Sequence, residues 1–171
     1  GWGSGSDVTL RSANRIYFDG GATPIGTLTL IADNGNIQQG SAAFTANTLI
    51  ASATQSIELG TSQNNSIAHL GNISSSTGDV SLRMGANTPV SIDGTISSAT
   101  KVLFTARGAV TGSGTIAAPQ TYLDTQTGGT INIAGSTTLI GLGTGGGDLT
   151  VNATGGLAVN TTVAGNNRAI T

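Results

Sequence analysis

Cysteine is absent from this 171-residue sequence, which excludes a disulfide framework and any thiolate zinc site. Charge is scarce as well. Six Lys and Arg against eight Asp and Glu leave a net charge of −2, and only 8% of residues are charged, against roughly 25% in ordinary domains. No polybasic surface is available for phosphate backbones or anionic lipids, so nucleic acid is not an expected partner. Apolar runs such as Leu30-Ile31-Ala32 stop far short of the ~20 residues that span a bilayer, so membrane insertion is not expected either. With 3 Pro and irregularly spaced Gly, a collagen triple helix is excluded. The single histidine, His69, cannot supply a multi-His metal site. No basic segment followed by an apolar one opens the chain, and residues 1–7 read as a linker or flexible start.

What is present in excess is glycine, 27 residues, together with Ser, Thr, Asn and Ala. Low net charge and a mean hydropathy of +0.12 argue for a folded chain and against disorder. Apolar residues alternate in short pairs: Leu28-Thr29-Leu30, Ile57-Glu58-Leu59, Val80-Ser81-Leu82, Val90-Ser91-Ile92, Ile131-Asn132-Ile133 and Leu157-Ala158-Val159. That is the period of a strand with one buried face. Turn-forming clusters such as Asp33-Asn34-Gly35-Asn36 and Gly112-Ser113-Gly114 separate them, and no ten-residue stretch has a helical apolar period.

Sliding the sequence along itself gives the best match at a shift of about 20 residues. Leu10, Leu30 and Leu49 recur at that interval, as do Val80 and Val102, Leu82 and Phe104, Ile96 and Ile116, and Phe104, Leu123 and Leu142; Ile131 to Leu149 and Ile133 to Val151 are slightly closer. A unit of about 18–22 residues holding two or three short strands is one coil of a parallel β-helix, with coils stacked at ~4.8 Å. The expected architecture is therefore all-β: a single right-handed parallel β-helix over residues 8–171, with roughly eight coils and a length of about 40 Å. The left-handed hexapeptide helix is disfavoured because no aliphatic residue recurs every six positions. The polar stretch 60–78 interrupts the repeat and reads as an enlarged loop, a usual place for recognition residues.

Segments such as Val102-Leu103-Phe104-Thr105-Ala106-Arg107-Gly108-Ala109-Val110-Thr111-Gly112-Ser113-Gly114-Thr115-Ile116, and Gly35-Asn36-Ile37-Gln38-Gln39-Gly40 ahead of Leu49, resemble the degenerate repeats of filamentous-haemagglutinin-like large exoproteins, the adhesins of two-partner secretion. The resemblance is one of repeat style over most of residues 8–165. It implies an extracellular β-helix, secreted or displayed at the cell surface of a Gram-negative bacterium, exported through an outer-membrane transporter and serving as an adhesin stalk. The Asn-Pro motif of that family's secretion domain has no counterpart, which points to a repeat region. Partners implied are a host-cell or matrix surface, glycan or protein, or other copies stacked end to end.

Candidate chemistry is thin. Gly141-Leu142-Gly143-Thr144-Gly145-Gly146 matches a dinucleotide-binding pattern, but turn and strand residues follow where a helix is required. Gly145-Gly146-Gly147-Asp148-Leu149 resembles one calcium-binding nonapeptide, and such sites need tandem copies. Glu58 with Asp79, or Asp124 with Asp148, are spaced to stack on adjacent coils as a polysaccharide hydrolase would require, yet lack surrounding aromatics. No cofactor, metal or catalytic residue is therefore assigned, and the chain is not expected to be an enzyme. Weak binding candidates are His69, Asn64 and Asn65 in the polar stretch, and Arg83, Lys101 and Arg107, which come from neighbouring coils as a small basic patch for an acidic glycan. The sequons at Asn64, Asn72, Asn152 and Asn160 are as frequent as chance predicts. Thr27-Leu28-Thr29 and Thr125-Gln126-Thr127 have the spacing of ice-binding ladders but do not recur at a fixed period.

Overall fold

A computed structural model describes residues 5–19, 25–61, 65–85, 89–145, 147–160, 163–165 and 171. The described residues contain strands and turns and no helix. The first four coils each hold two strands: β1 (Val8–Ser12) and β2 (Ile16–Phe18), β3 (Ile25–Ala32) and β4 (Ile37–Gln39), β5 (Thr45–Ala53) and β6 (Ile57–Leu59), β7 (Ser66–Ser75) and β8 (Val80–Met84). Two coils of three strands follow, β9 (Val90–Ile92), β10 (Thr95–Ser98) and β11 (Lys101–Ala106), then β12 (Val110–Thr111), β13 (Thr115–Ala117) and β14 (Gln120–Thr125). The last coils comprise β15 (Gly129–Ile133) and β16 (Thr137–Thr144), then β17 (Leu149–Ala153), β18 (Leu157–Val159) and β19 (Val163–Gly165).

Two parallel sheets result. The first runs from β1 through β3, β5, β7, β10, β13 and β15 to β17, with β9 and β12 at its side; the second runs from β2 through β4, β6, β8, β11, β14 and β16 to β18 and β19. Eight stacked strands in the first sheet are separated by seven steps, so the molecule is a parallel β-solenoid of about seven turns, roughly 34 Å along its axis at ~4.8 Å per step. The expected eight coils correspond to eight rungs. Coil length drifts more than expected: the step from Ile116 to its partner Ile133 is short, and the step from Ile57 to Val80 is long.

The core is a set of axial columns made by the inward residue of each pleat. One column is Ile16, Ile37, Ile57, Val80, Val102, Thr121, Leu139 and Val159. Another is Leu10, Leu30, Ala51, Ile73, Ile96, Ile116, Ile133 and Ala153. Fully burying each large aliphatic side chain contributes about 1.5–3 kcal/mol, set against the conformational entropy of its rung. Three of the expected repeats are displaced, among them Ile133, which meets Ala153 and not Val151. Leu49 stacks on Leu28, not on Leu30, and Ile131 meets Val151, not Leu149.

The stretch 60–78, expected as an enlarged loop, contains the ten-residue strand β7, with Ile67, Leu70 and Ile73 buried. Its inward residues fall three apart (67, 70, 73), so the strand period is not visible in the sequence. A bulge causes part of this: Leu49 and Ala51 are two residues apart, and their partners Leu70 and Ile73 are three. In the next coil the gap widens again, because Ile92 pairs with Leu70 and Ile96 with Ile73. The widened corner is built on close backbone approach. A Cβ on Gly94 would lie 2.5 Å from the carbonyl carbon of Gly71, and one on Gly114 would lie 2.2 Å from the carbonyl oxygen of Gly94.

Candidate functional site

The outer face of the first sheet carries short polar side chains in axial rows. One row runs Thr27, Thr48, His69, Ser91 and Thr111, and continues with Thr130 and Thr150 on β15 and β17. Thr171 extends it by one position, since its N–H donates to the carbonyl of Leu149 at 3.0 Å and its carbonyl accepts from the N–H of Val151 at 2.7 Å. Two residues along each strand lies a second row, Thr9, Thr29 and Ile50, then beyond the bulged corner Thr95, Thr115, Asn132 and Asn152. Rungs are ~4.8 Å apart and alternate residues ~6.7 Å apart, so the face is a grid of hydroxyl and amide groups. Sequence reading missed these rows because the coil length changes from rung to rung, leaving no fixed period for the threonines to follow.

His69 stands within this grid, on strand β7 and not on a loop, and is half exposed. Its Nδ1 lies 2.6 Å from Asp93 Oδ2, and the Ser91 hydroxyl donates to Asp93 Oδ1. The Ser91 hydrogen bond, followed by that from His69, holds the Asp93 carboxyl below the usual carboxylate range. The order of contacts is not that of a nucleophilic triad, because Ser91 gives its proton to the carboxylate and not to the imidazole.

Asn65, a surface-contact candidate from the sequence, is fully buried. Its Nδ2 donates to Gln39 Oε1 at 2.8 Å and to the Leu59 carbonyl at 3.0 Å, while its Oδ1 accepts from Gln39 Nε2 at 2.6 Å and from the Phe44 N–H at 3.2 Å. Gln39 completes the node by donating to the carbonyl of Ala42 at 2.8 Å. Every hydrogen-bonding position of the Asn65 amide is thereby used within the protein, so its role is internal. Asn64 lies outside the described residues.

The three cations do not converge. The Lys101 ammonium is 3.1 Å from Asp79 Oδ2 on the preceding rung, and Thr100 donates to the other oxygen of that carboxylate at 2.5 Å. Arg83 is further along the sheet than that pair, beside Thr105, and Arg107 follows the end of β11 in a turn. The members of each carboxylate pair stand in different settings. Glu58 stands beside Ser81 and takes hydrogen bonds from Gln38 at 3.0 Å and Ser56 at 2.9 Å, whereas Asp79 is held by Lys101 and Thr100. Asp124 is on the second sheet and Asp148 precedes a strand of the first. Residues 141–144 of the glycine-rich match end strand β16, Gly146 lies outside the described residues, and the next element is strand β17, so the match does not open a helix.

A shallow groove of about 460 Å³ crosses the last rungs between the sheets, lined by Pro119, Ser136, Thr137, Thr138, Gly156, Leu157 and Ala158. No titratable side chain is among these. Among the described residues, the large apolar side chains that are exposed are Tyr17 on the first rung and Leu157 and Val159 on the last. Nowhere among the described residues do three His, Asp or Glu side chains gather as metal ligands would.

No family model, curated protein or solved structure matches this chain. The parallel β-solenoid implied by the repeat style is observed, and the family resemblance rests on that style alone.

Proposed function

We propose that this chain is a non-enzymatic structural and adhesive segment, a piece of an exported bacterial rod whose work is done by length and by its flat outer faces. The observation that carries this reading is the distribution of exposed apolar side chains. They lie at the two end rungs, while the described flanks present small polar residues and paired charges. Such flanks suit a spacer that stays soluble along its length, and Leu157 and Val159, in register with buried Thr137 and Leu139 yet exposed on the last rung, suit a further rung or another copy stacked on that end. By resemblance, the rod is displayed at the surface of a Gram-negative cell after passage through an outer-membrane transporter, and it meets a host-cell or matrix surface. The test is adherence of the purified chain to cultured cells and to matrix-coated plates. Saturable retention, competed by unlabelled chain, is the expected result; retention no greater than that of an unrelated β-solenoid overturns the adhesive part.

A second reading is favoured by the hydroxyl-rich grid of the first sheet, which the His69–Asp93 pair interrupts and which has no aromatic platform for sugar rings among the described residues. A face of this kind fits an ordered layer of water, and thus ice or another hydrated crystal surface. Thermal hysteresis measured near the freezing point on the parent chain and on the paired variants Thr48→Lys and Thr115→Lys decides it. Hysteresis that disappears in the variants supports ice binding, and its absence from the parent removes the reading. The carbohydrate-active alternative predicts cleavage of uronate polymers that Glu58→Ala or Asp79→Ala abolishes; both carboxylates are engaged by neighbouring side chains.

A further inference from the structure

We draw no further inference here: the strongest candidate, the His69–Asp93–Ser91 side-chain cluster on the outer face of the first sheet, is held together by its own hydrogen bonds and nothing in the structure shows a ligand or partner that covers it.

Discussion

Asn65 and Asp93 illustrate how similar polar residues take opposite roles according to burial. Replacing Asn65 with Ala strands the Gln39 Oε1, the Phe44 N–H and the Leu59 carbonyl in an interior that water does not reach. An unmet buried group costs about 1–3 kcal/mol, so Asn65→Ala is expected to lower stability by on the order of 3 kcal/mol. The urea midpoint should fall at unchanged slope. Asn65→Asp keeps the shape but removes both donated bonds and buries a charge, and is expected to be worse. By contrast, His69→Ala and Arg83→Ala change exposed or half-exposed groups and should stay within about 0.5 kcal/mol of the parent. The sequence placed Asn65 among surface candidates because a polar run gives no sign of which member turns inward. That direction depends on Gln39 and Phe44, which are distant in the chain and reach Asn65 only once the coils are stacked.

At the same scale, the Asp93 carboxyl titrates below its ordinary value of ~3.9 because Ser91 and His69 bind its charged form. A folded-state value below the unfolded one gives a contribution that is present above the unfolded value and lost as pH falls through the folded one. Carbon-detected NMR titration of the Asp93 side chain should place its midpoint below ~3.9. Ser91→Ala and His69→Ala should each move that midpoint upward. A midpoint that moves in neither variant would contradict the geometry of the cluster.

At the level of strands, register is where sequence reading and structure diverge, and the cause is the period of the pleat. Inward positions recur at every second residue, so a slip of two keeps every apolar side chain inside, whereas a slip of one would turn the strand inside out. Leu30 can face Leu49 or Ala51 with the same alternation, and the structure takes Ala51 while placing Leu49 over Leu28. The second sheet was legible because its columns contain large residues at matching offsets, as in Phe104, Leu123 and Leu142. The corner that widens through Gly71, Gly94 and Gly114 was not, since glycine contributes no hydrophobic signal. Glycines at such places differ in what surrounds them. A methyl on Gly114 would meet the fixed backbone oxygen of Gly94, while one on Gly141 would meet the ring of Tyr122, 2.0 Å from its Cδ2. Gly114→Ala is thus expected to be strongly destabilising in any background. Gly141→Ala should recover most of its loss when combined with Tyr122→Ala, a coupling that a double-mutant cycle in urea measures directly.

For the molecule as a whole, near-neighbour stacking makes the coil the unit of stability. Lys101 and Gln120 occupy equivalent positions on successive rungs, so joining Lys101 to Thr121 removes residues 102–120 without changing register. This excision is expected to leave an all-β, monodisperse protein by circular dichroism and size-exclusion chromatography. Removing only residues 102–111, half a coil, puts the strands of the two sheets out of step and should give aggregate. If both deletions behaved alike, the stacked-rung description would be wrong. The architecture itself was readable from composition and spacing. A chain poor in charge and rich in small residues, with a recurrence of about 20 residues, has few other ways to bury its aliphatic side chains. The hydroxyl grid was not readable, since it exists only once coils of unequal length, such as those from Ile116 to Ile133 and from Ile57 to Val80, are brought into line.

The rung-to-rung hydrogen bonds lie parallel to the long axis, and this determines how the rod responds to load. Tension applied between its ends acts along those bonds and opens them one strand pair at a time, as a zipper opens, instead of shearing a whole sheet at once. Each coil of about 20 residues then releases roughly 60–70 Å of extended chain at ~3.3–3.6 Å per residue. Optical-tweezer pulling from both termini is expected to give a low-force series of steps of that size. Under the adhesive role proposed above, such a link yields in repeated small steps, where a stiffer one would break at once.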